Sequence, residues 1–398
     1  MELNKTPASG RINISFFGKT NAGKSSLVNA FTGQDFAVVS DVKGTTTDPN
    51  VKAMELLPLG PVLVCDTPGY DDFSELGEKR VAKTKQVLRK TDIAILVTQK
   101  LCNEDEEFIK LFNENEIPFI IAYSKADLLD NRAELKENEI YVSAKTGENV
   151  NQLKEKIAKS VKTDNLDINL VGDFAKENNL FVLVTPIDEA APKGRLILPQ
   201  QQTIRDILDN NAVCLVTKET QLEYTLKTLG AKPNAVITDS QAFGKVAPIV
   251  PEDVNLTSFS ILMAKYKGFL ETAVKGVKEI ENLNDGDKIL IAEGCSHHRQ
   301  CGDIGSVKIP ALLKKHTGKN LEIALSSGSE FPENLTEYKL IIHCGGCMQN
   351  NREMKYRMNS AITQGVPFTN YGIALSYMNG ILKRSLSVFP EILKLISE

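Results

Sequence analysis

The sequence predicts an α/β protein of three domains, with a larger N-terminal unit over residues 1–165 and two smaller α/β units over 166–264 and 265–398. Three observations carry this. A glycine-rich G-x-x-x-x-G-K-S run sits between an apolar strand and an apolar helix. Strands and helices then alternate to the C-terminus, and cysteine-bearing turns follow two of the late strands.

At 398 residues the chain is long enough for two or three cores. Apolar residues make up 42% and charged residues 25%, the balance of a soluble globular protein. A net charge of −4 gives no global basic field, so no nucleic-acid partner is expected. The first residues hold no long apolar stretch of the secretory type, and no run approaches the roughly 18 to 20 apolar residues that span a bilayer. Seven cysteines, an odd number, argue against a disulfide framework. A cytoplasmic protein without membrane contact is expected.

In the first unit, the strand 12–17 runs into Gly18, Lys19, Thr20, Asn21, Ala22, Gly23, Lys24, Ser25 and Ser26. The glycines let backbone N–H groups curl round phosphates, and the helix that follows adds its positive end. Lys24 can reach the β- and γ-phosphates, and the Ser25 hydroxyl can bind Mg²⁺. The strand 62–66 delivers Asp66-Thr67-Pro68-Gly69. Asp66 can hold Mg²⁺ through water, and the Gly69 N–H can meet the γ-phosphate. Between these motifs lies Gly44-Thr45-Thr46-Thr47-Asp48, where Thr46 is placed to coordinate Mg²⁺ when the γ-phosphate is present. Lys24, Thr46, Asp66 and Gly69 form the expected hydrolytic set.

The base is read further along, by Ser124, Lys125 and Asp127 after the strand 119–124 and by Ser143, Ala144 and Lys145 after 140–142. A carboxylate at Asp127 accepts from guanine N1–H and the 2-amino group. Adenine lacks that pair and would leave the acid unsatisfied. GTP and GDP are therefore the expected nucleotides. At these residues the chain resembles the translation-factor-like small GTPases that carry G-T-T-R-D and D-T-P-G. It departs from them in having Ser124 for an asparagine and Tyr70 for a water-orienting glutamine, which implies slow hydrolysis. In the resembling potassium-activated GTPases an asparagine at the position of Asn21 helps bind K⁺ beside the phosphates. A turn-forming asparagine is the plainer alternative.

The stretch KTDNLDINLVGDFAKENN at 162–179 reads as a linker. Strands over 181–187, 211–217 and 234–239 then alternate with helical segments, a small α/β unit with no acid/base pair or phosphate loop. By exclusion it reads as a dimerisation element. Cys65, Cys102 and Cys214 have no partner spacing and read as core residues.

In the last unit a helix is expected over 261–280, strands over 287–293, 321–326 and 338–344, and helices over 307–318 and 351–364. Cys295-Ser296-His297 follows the first of these strands and His343-Cys344-Gly345-Gly346-Cys347 the third, with 45 residues between the two histidines. Thiolates in such sets bind soft metals or iron–sulfur clusters. If the sheet is parallel, both turns lie on the edge where open α/β sheets place their ligands. Cys295, Cys344 and Cys347 are the metal candidates. His297 and His343 are either ligands or donors to the sulfurs, and His298 and His316 read as surface residues. Cys301 is a possible fourth thiolate, although a replaceable ligand is favoured there. The competing reading is structural zinc held by the three cysteines and one of those two histidines, on a regulatory or translation-factor-like GTPase.

A GTPase unit followed by C-x-H…H-C-x-x-C resembles the HydF family of [FeFe]-hydrogenase maturation scaffold/carrier GTPases. The resemblance covers the whole chain, with the 45-residue gap at the short end of the family's range. It implies a [4Fe–4S] cluster on Cys295, Cys344 and Cys347 and a diiron subcluster precursor as cargo. It also implies a homodimer through the middle domain, radical-SAM maturation enzymes as partners and delivery to apo-[FeFe]-hydrogenase.

Overall fold

The apolar run Ile12–Phe17 forms strand β1 at the centre of a sheet, with Ile14, Phe16 and Phe17 all fully buried. Burial of successive residues requires cover on both faces of the sheet. Phe16 packs with Leu27, Val28 and Phe31 of the helix Lys24–Thr32 and with Leu153 and Ile157 of the helix Val150–Ser160. Phe17 packs on the other face with Phe112 of the helix Asn103–Glu114. In this computed structural model the described residues are 8–33, 50–69, 86–129, 131–161, 169–187, 196–294, 303–328 and 330–397. The chain divides into two compact units, 1–167 and 168–398.

Among the described residues the first unit has six strands: β1, β2 (Asn50–Leu56), β3 (Gly60–Asp66), β4 (Ile93–Thr98), β5 (Phe119–Tyr123) and β6 (Glu139–Tyr141). Their order is β2-β3-β1-β4-β5-β6, with only β2 and β3 antiparallel. The carboxyl ends of β1, β3, β5 and β6 therefore share one edge, and four of the five expected nucleotide motifs follow those ends; the fifth, Gly44–Asp48, lies outside the described residues.

Among the described residues the second unit holds two four-stranded parallel sheets. One is β10-β9-β7-β8, from β7 (Leu180–Val184), β8 (Val213–Thr217), β9 (Ala235–Thr238) and β10 (Asn255–Ser258). The other is β12-β11-β13-β14, from β11 (Lys288–Ala292), β12 (Glu322–Ser326), β13 (Leu340–His343) and β14 (Phe368–Asn370). By position in the chain the two sheets have the same order: first strand inside, second on one side, third and fourth on the other. In both, the last residue of the fourth strand caps the next helix, Ser258 accepting from the Ile261 N–H and Asn370 from the Ile373 N–H. One continuous apolar core joins the two sheets, with Phe181, Phe243, Phe269 and Phe368 among its members.

Two sequence expectations change here. Residues 169–179 are not a linker: Leu170 and Val171 are buried in the core, and both their N–H groups donate to Asp206 Oδ2, at 2.8 and 2.7 Å. A buried carboxylate that accepts two backbone donors holds polar-looking chain in place. The single helix expected over 261–280 is instead Phe259–Tyr266, Leu270–Gly276 and a 3₁₀ segment Val277–Asn282. It breaks at Gly268, whose φ of +79° reverses the chain. Among the described residues, no helix is long and apolar enough to cross a membrane.

Candidate functional site

The sharp turn out of β1 depends on Gly18. A Cβ there would lie 2.2 Å from the Val97 carbonyl oxygen of β4, so only glycine lets the loop pass this close to its neighbour. Asn21 follows with a left-handed φ of 61° on the exposed side of the loop, and Ala22 is buried. Gly23 then leads into the helix Lys24–Thr32. Lys24 is buried, and its ammonium donates to the Lys19 carbonyl at 2.9 Å, inside the loop it would neutralise when phosphates bind. Ser26 lies half-buried one residue further along the same helix.

Opposite the helix, Asp66 is fully buried at the end of β3. Its Oδ2 accepts from the Ser25 hydroxyl at 2.7 Å, while Oδ1 has no hydrogen-bond partner among the described residues. Burial raises this carboxyl above its ordinary range, and the Ser25 hydrogen bond and the Lys24 charge oppose the shift. A desolvated carboxylate with an orphaned oxygen, beside a serine hydroxyl, is the donor set a hard cation such as Mg²⁺ requires. Thr67 locks the turn to β1, its N–H and hydroxyl both donating to the Phe16 carbonyl, at 3.3 and 2.8 Å. Gly69 is half-buried at the end of that described segment. Thr46 and Tyr70 lie outside the described residues.

Two further loops carry the residues expected on the base side. Ser124 is buried, and its hydroxyl donates to the Ala22 carbonyl at 2.6 Å, tying the loop after β5 to the phosphate loop. Lys125 has a left-handed φ of 56°, and its ammonium reaches the Asn21 carbonyl at 3.4 Å. Asp127 is exposed and accepts from the Ser143 hydroxyl at 2.6 Å, which holds its carboxyl below the usual range. Lys145 adds a weaker pull in the same direction, and Ala144 sits half-buried between these two residues. The described members of the expected phosphate-side and base-side sets thus lie along one sheet edge. The role of Ser124 as a tie between loops was not foreseen, since a serine there signals only the loss of an asparagine.

In the second unit, β11 and β13 are parallel neighbours with Ala292 opposite His343. The turns that follow them are in contact. The Cys344 N–H donates to the Ala292 carbonyl at 2.9 Å, and the Gly294 N–H points at Cys344 Sγ at 3.1 Å. A second N–H, from Gly346, reaches the same sulfur at 3.4 Å. Gly346 has a φ of +65° and packs so closely on Met354 that a Cβ would lie 2.5 Å from its sulfur. Burial raises the Cys344 thiol, and these two N–H groups oppose that, as donors that favour a thiolate. Burial pushes the Cys347 thiol up to about 11. Backbone donors aimed at a cysteine sulfur in a shielded turn suit soft-metal ligation.

His343 is fully buried, and both its ring nitrogens are engaged. Nδ1 meets the Cys344 carbonyl at 2.8 Å, and Nε2 faces the Arg357 guanidinium at 3.0 Å. Burial, with the Arg357 charge, holds the imidazole down to about 3, so it stays neutral. Arg357 is itself fully buried and pairs with Glu353, Nε to Oε1 at 2.8 Å. Cys295, His297, His298 and Cys301 lie outside the described residues. Among the described residues, no three His, Cys, Asp or Glu side chains converge on one point.

Comparison with known proteins gives three domain matches. Residues 13–125 match the family model of the 50S ribosome-binding GTPase, 170–268 that of the hydrogen maturase F dimerization domain, and 271–388 that of the hydrogen maturase F tetramerization domain. The tRNA modification GTPase MnmE of Legionella pneumophila (strain Corby) is 36% identical over 151 residues, 36% of this chain and 33% of that protein. GTPase Der of Wolinella succinogenes is 34% identical over 177 residues, 40% of this chain and 37% of that protein. The chain therefore spans about a third of the length of these curated relatives. Among solved structures, the G domain of the T. maritima FeoB iron transporter is 23% identical, covering 38% of this chain and 99% of that one, with a TM-score of 0.29.

Proposed function

The chain belongs to the hydrogen maturase F family, an N-terminal P-loop GTPase domain followed by dimerization and tetramerization domains, and from that premise we propose a scaffold and carrier for [FeFe]-hydrogenase maturation. Cys295, Cys344 and Cys347 hold a [4Fe–4S] cluster with one exchangeable position. A diiron subcluster precursor made with radical-SAM partner enzymes is the cargo, and apo-hydrogenase in the cytoplasm is its destination. The observation that carries this reading is the Gly294–Cys344 contact, which joins the strand end that leads into Cys295 to the turn that holds the other two thiols. A cluster held by three thiolates can accept an incoming group, whereas one held by four mainly transfers electrons.

The GTPase domain gates partner binding. Lys24 offsets phosphate charge, Asp127 reads the guanine edge, and Ser25 with Asp66 holds Mg²⁺, which when bound neutralises charge developing on the phosphates. Contacts from Thr46 and Gly69 distinguish GTP from GDP. A full conformational switch needs about 5.5 kcal/mol of differential binding, and a bias in partner affinity needs less. Hydrolysis is slow for want of a glutamine at Tyr70, and K⁺ beside Asn21 supplies part of the missing charge.

Anaerobic purification, an absorption spectrum, and iron, sulfide and zinc analysis test the scaffold reading. It expects a brown protein with iron and sulfide in cluster ratio. A colourless protein with stoichiometric zinc would replace it with a zinc-stabilised regulatory GTPase. Equal turnover in sodium and potassium would remove Asn21 from its role.

A further inference from the structure

Strand pairing alone fixes only part of the cysteine site. Cys344 directly follows β13 and is set by its bond to Ala292, but Cys347 lies three residues further out in the turn. What holds that turn against the other loops is the side chain of Gln349, 5% exposed at the foot of the turn. Its Nε2 donates to the Gly294 carbonyl at 2.5 Å and to the Gly328 carbonyl at 3.1 Å. Gly294 precedes Cys295 after β11, and Gly328 follows β12. One amide therefore ties together the loops after β11, β12 and β13.

The tie is braced at its other end. The Gln349 N–H donates to the Gly346 carbonyl at 3.0 Å, closing the Cys344–Cys347 turn, and its own carbonyl accepts from the buried Lys267 ammonium at 2.8 Å. Gly328 is held a second time, by the Arg357 guanidinium at 2.6 Å. Gly294 packs so tightly here that a Cβ would lie 2.9 Å from Gln349 Cγ. A buried network with its members satisfied fixes one geometry, and losing its central donor leaves two carbonyls without it.

We propose that Gln349 is a positioning residue of the cluster site, fixing Gly294, from which the chain leads into Cys295, against the Cys344–Cys347 turn before metal arrives. This rests on the cluster reading given above. Residues that orient metal ligands from behind typically change metal retention about 10- to 100-fold when altered.

The test uses the full chain with Gln349→Glu, which keeps the shape and loses both donated hydrogen bonds, and Gln349→Ala. Two readouts are taken: the rate of cluster bleaching under a ferrous chelator, and amide hydrogen exchange of the segments holding Gly294, Gly328 and Gly346 in metal-free protein. The expected result is bleaching at least about tenfold faster in both variants, faster exchange in those three segments, and a cooperative melt close to wild type. Wild-type bleaching and exchange rates in Gln349→Glu would overturn the proposal. So would loss of the cooperative melt in both variants, which would make Gln349 a plain support of the fold. If wild-type protein takes up no iron, the cluster reading fails by itself, and the exchange comparison still decides whether Gln349 ties the loops.

Discussion

The Ser124 hydroxyl donates to the Ala22 carbonyl at 2.6 Å, linking two loops 102 residues apart in the chain. One loop carries Asp127, the proposed reader of the base, and the other is the proposed phosphate cradle. Ser124→Ala removes the tie and leaves a buried carbonyl without that donor. One lost buried hydrogen bond of this kind corresponds to about 1 kcal/mol, so GDP and GTP affinity should fall roughly fivefold. Titration with a fluorescent guanine nucleotide measures it. Unaltered affinity would mean the phosphate loop is held without Ser124.

Lys24 is buried in the phosphate loop and Asp127 lies at the base side, both in the first compact unit, while Cys344 and Cys347 lie in the second. Lys24→Ala or Asp127→Ala should lower GTP turnover by at least about a hundredfold, with iron content per chain unchanged. Phosphate release and metal analysis on one preparation check both halves. Iron lost together with turnover would show that the two sites are not separable.

Motifs whose chemistry resides in the backbone were readable from the sequence. The turn from β1 through Gly18 to Lys24 could be placed because a strand, two glycines and an apolar helix must occur in that order to wrap a phosphate. The edge shared by Gly294 and Cys344 was readable because parallel strands put their carboxyl ends together. What escaped were contacts made by ordinary polar side chains across long separations. Gln349 reaches Gly294 over 55 residues, and Asp206 reaches Leu170 over 36. Neither leaves a local pattern, since a glutamine after a turn and an aspartate on a helix are equally common in solvent. Gly268 was the opposite case: its signal was present, and the apolar periodicity around it masked the break.

Gly276 ends the helix Leu270–Gly276 directly against the backbone of β14, where a Cβ would lie 2.2 Å from the Phe368 carbonyl oxygen. No flexible side chain can yield there, so helix and strand would have to separate. Gly276→Ala should destabilise the second unit by about 1–3 kcal/mol, the usual range for overpacking, despite alanine's better helix propensity. Chemical denaturation followed by circular dichroism measures this. A stability equal to or above wild type would mean the helix can slide away from β14 freely.

Glu281 Oε1 accepts from the Tyr377 hydroxyl at 2.8 Å and meets His316 Nε2 at 2.9 Å, so one carboxylate joins three segments of the last sheet's helical layer. The His316 and Tyr377 hydrogen bonds hold this carboxyl below its ordinary value of 4.5. A depressed carboxylate stabilises the fold above the unfolded value, and the contribution fades as pH falls through the folded one. Its side chain is 58% exposed, so solvent screening keeps the contribution under about 1 kcal/mol. Glu281→Gln should therefore melt slightly below wild type at pH 7, and the two curves should converge as the pH drops well below 4.5. Thermal melts of both proteins across that range check it. A gap that persists unchanged in acid would assign the effect to packing, because a neutral carboxyl and an amide of the same shape would then differ for reasons other than charge.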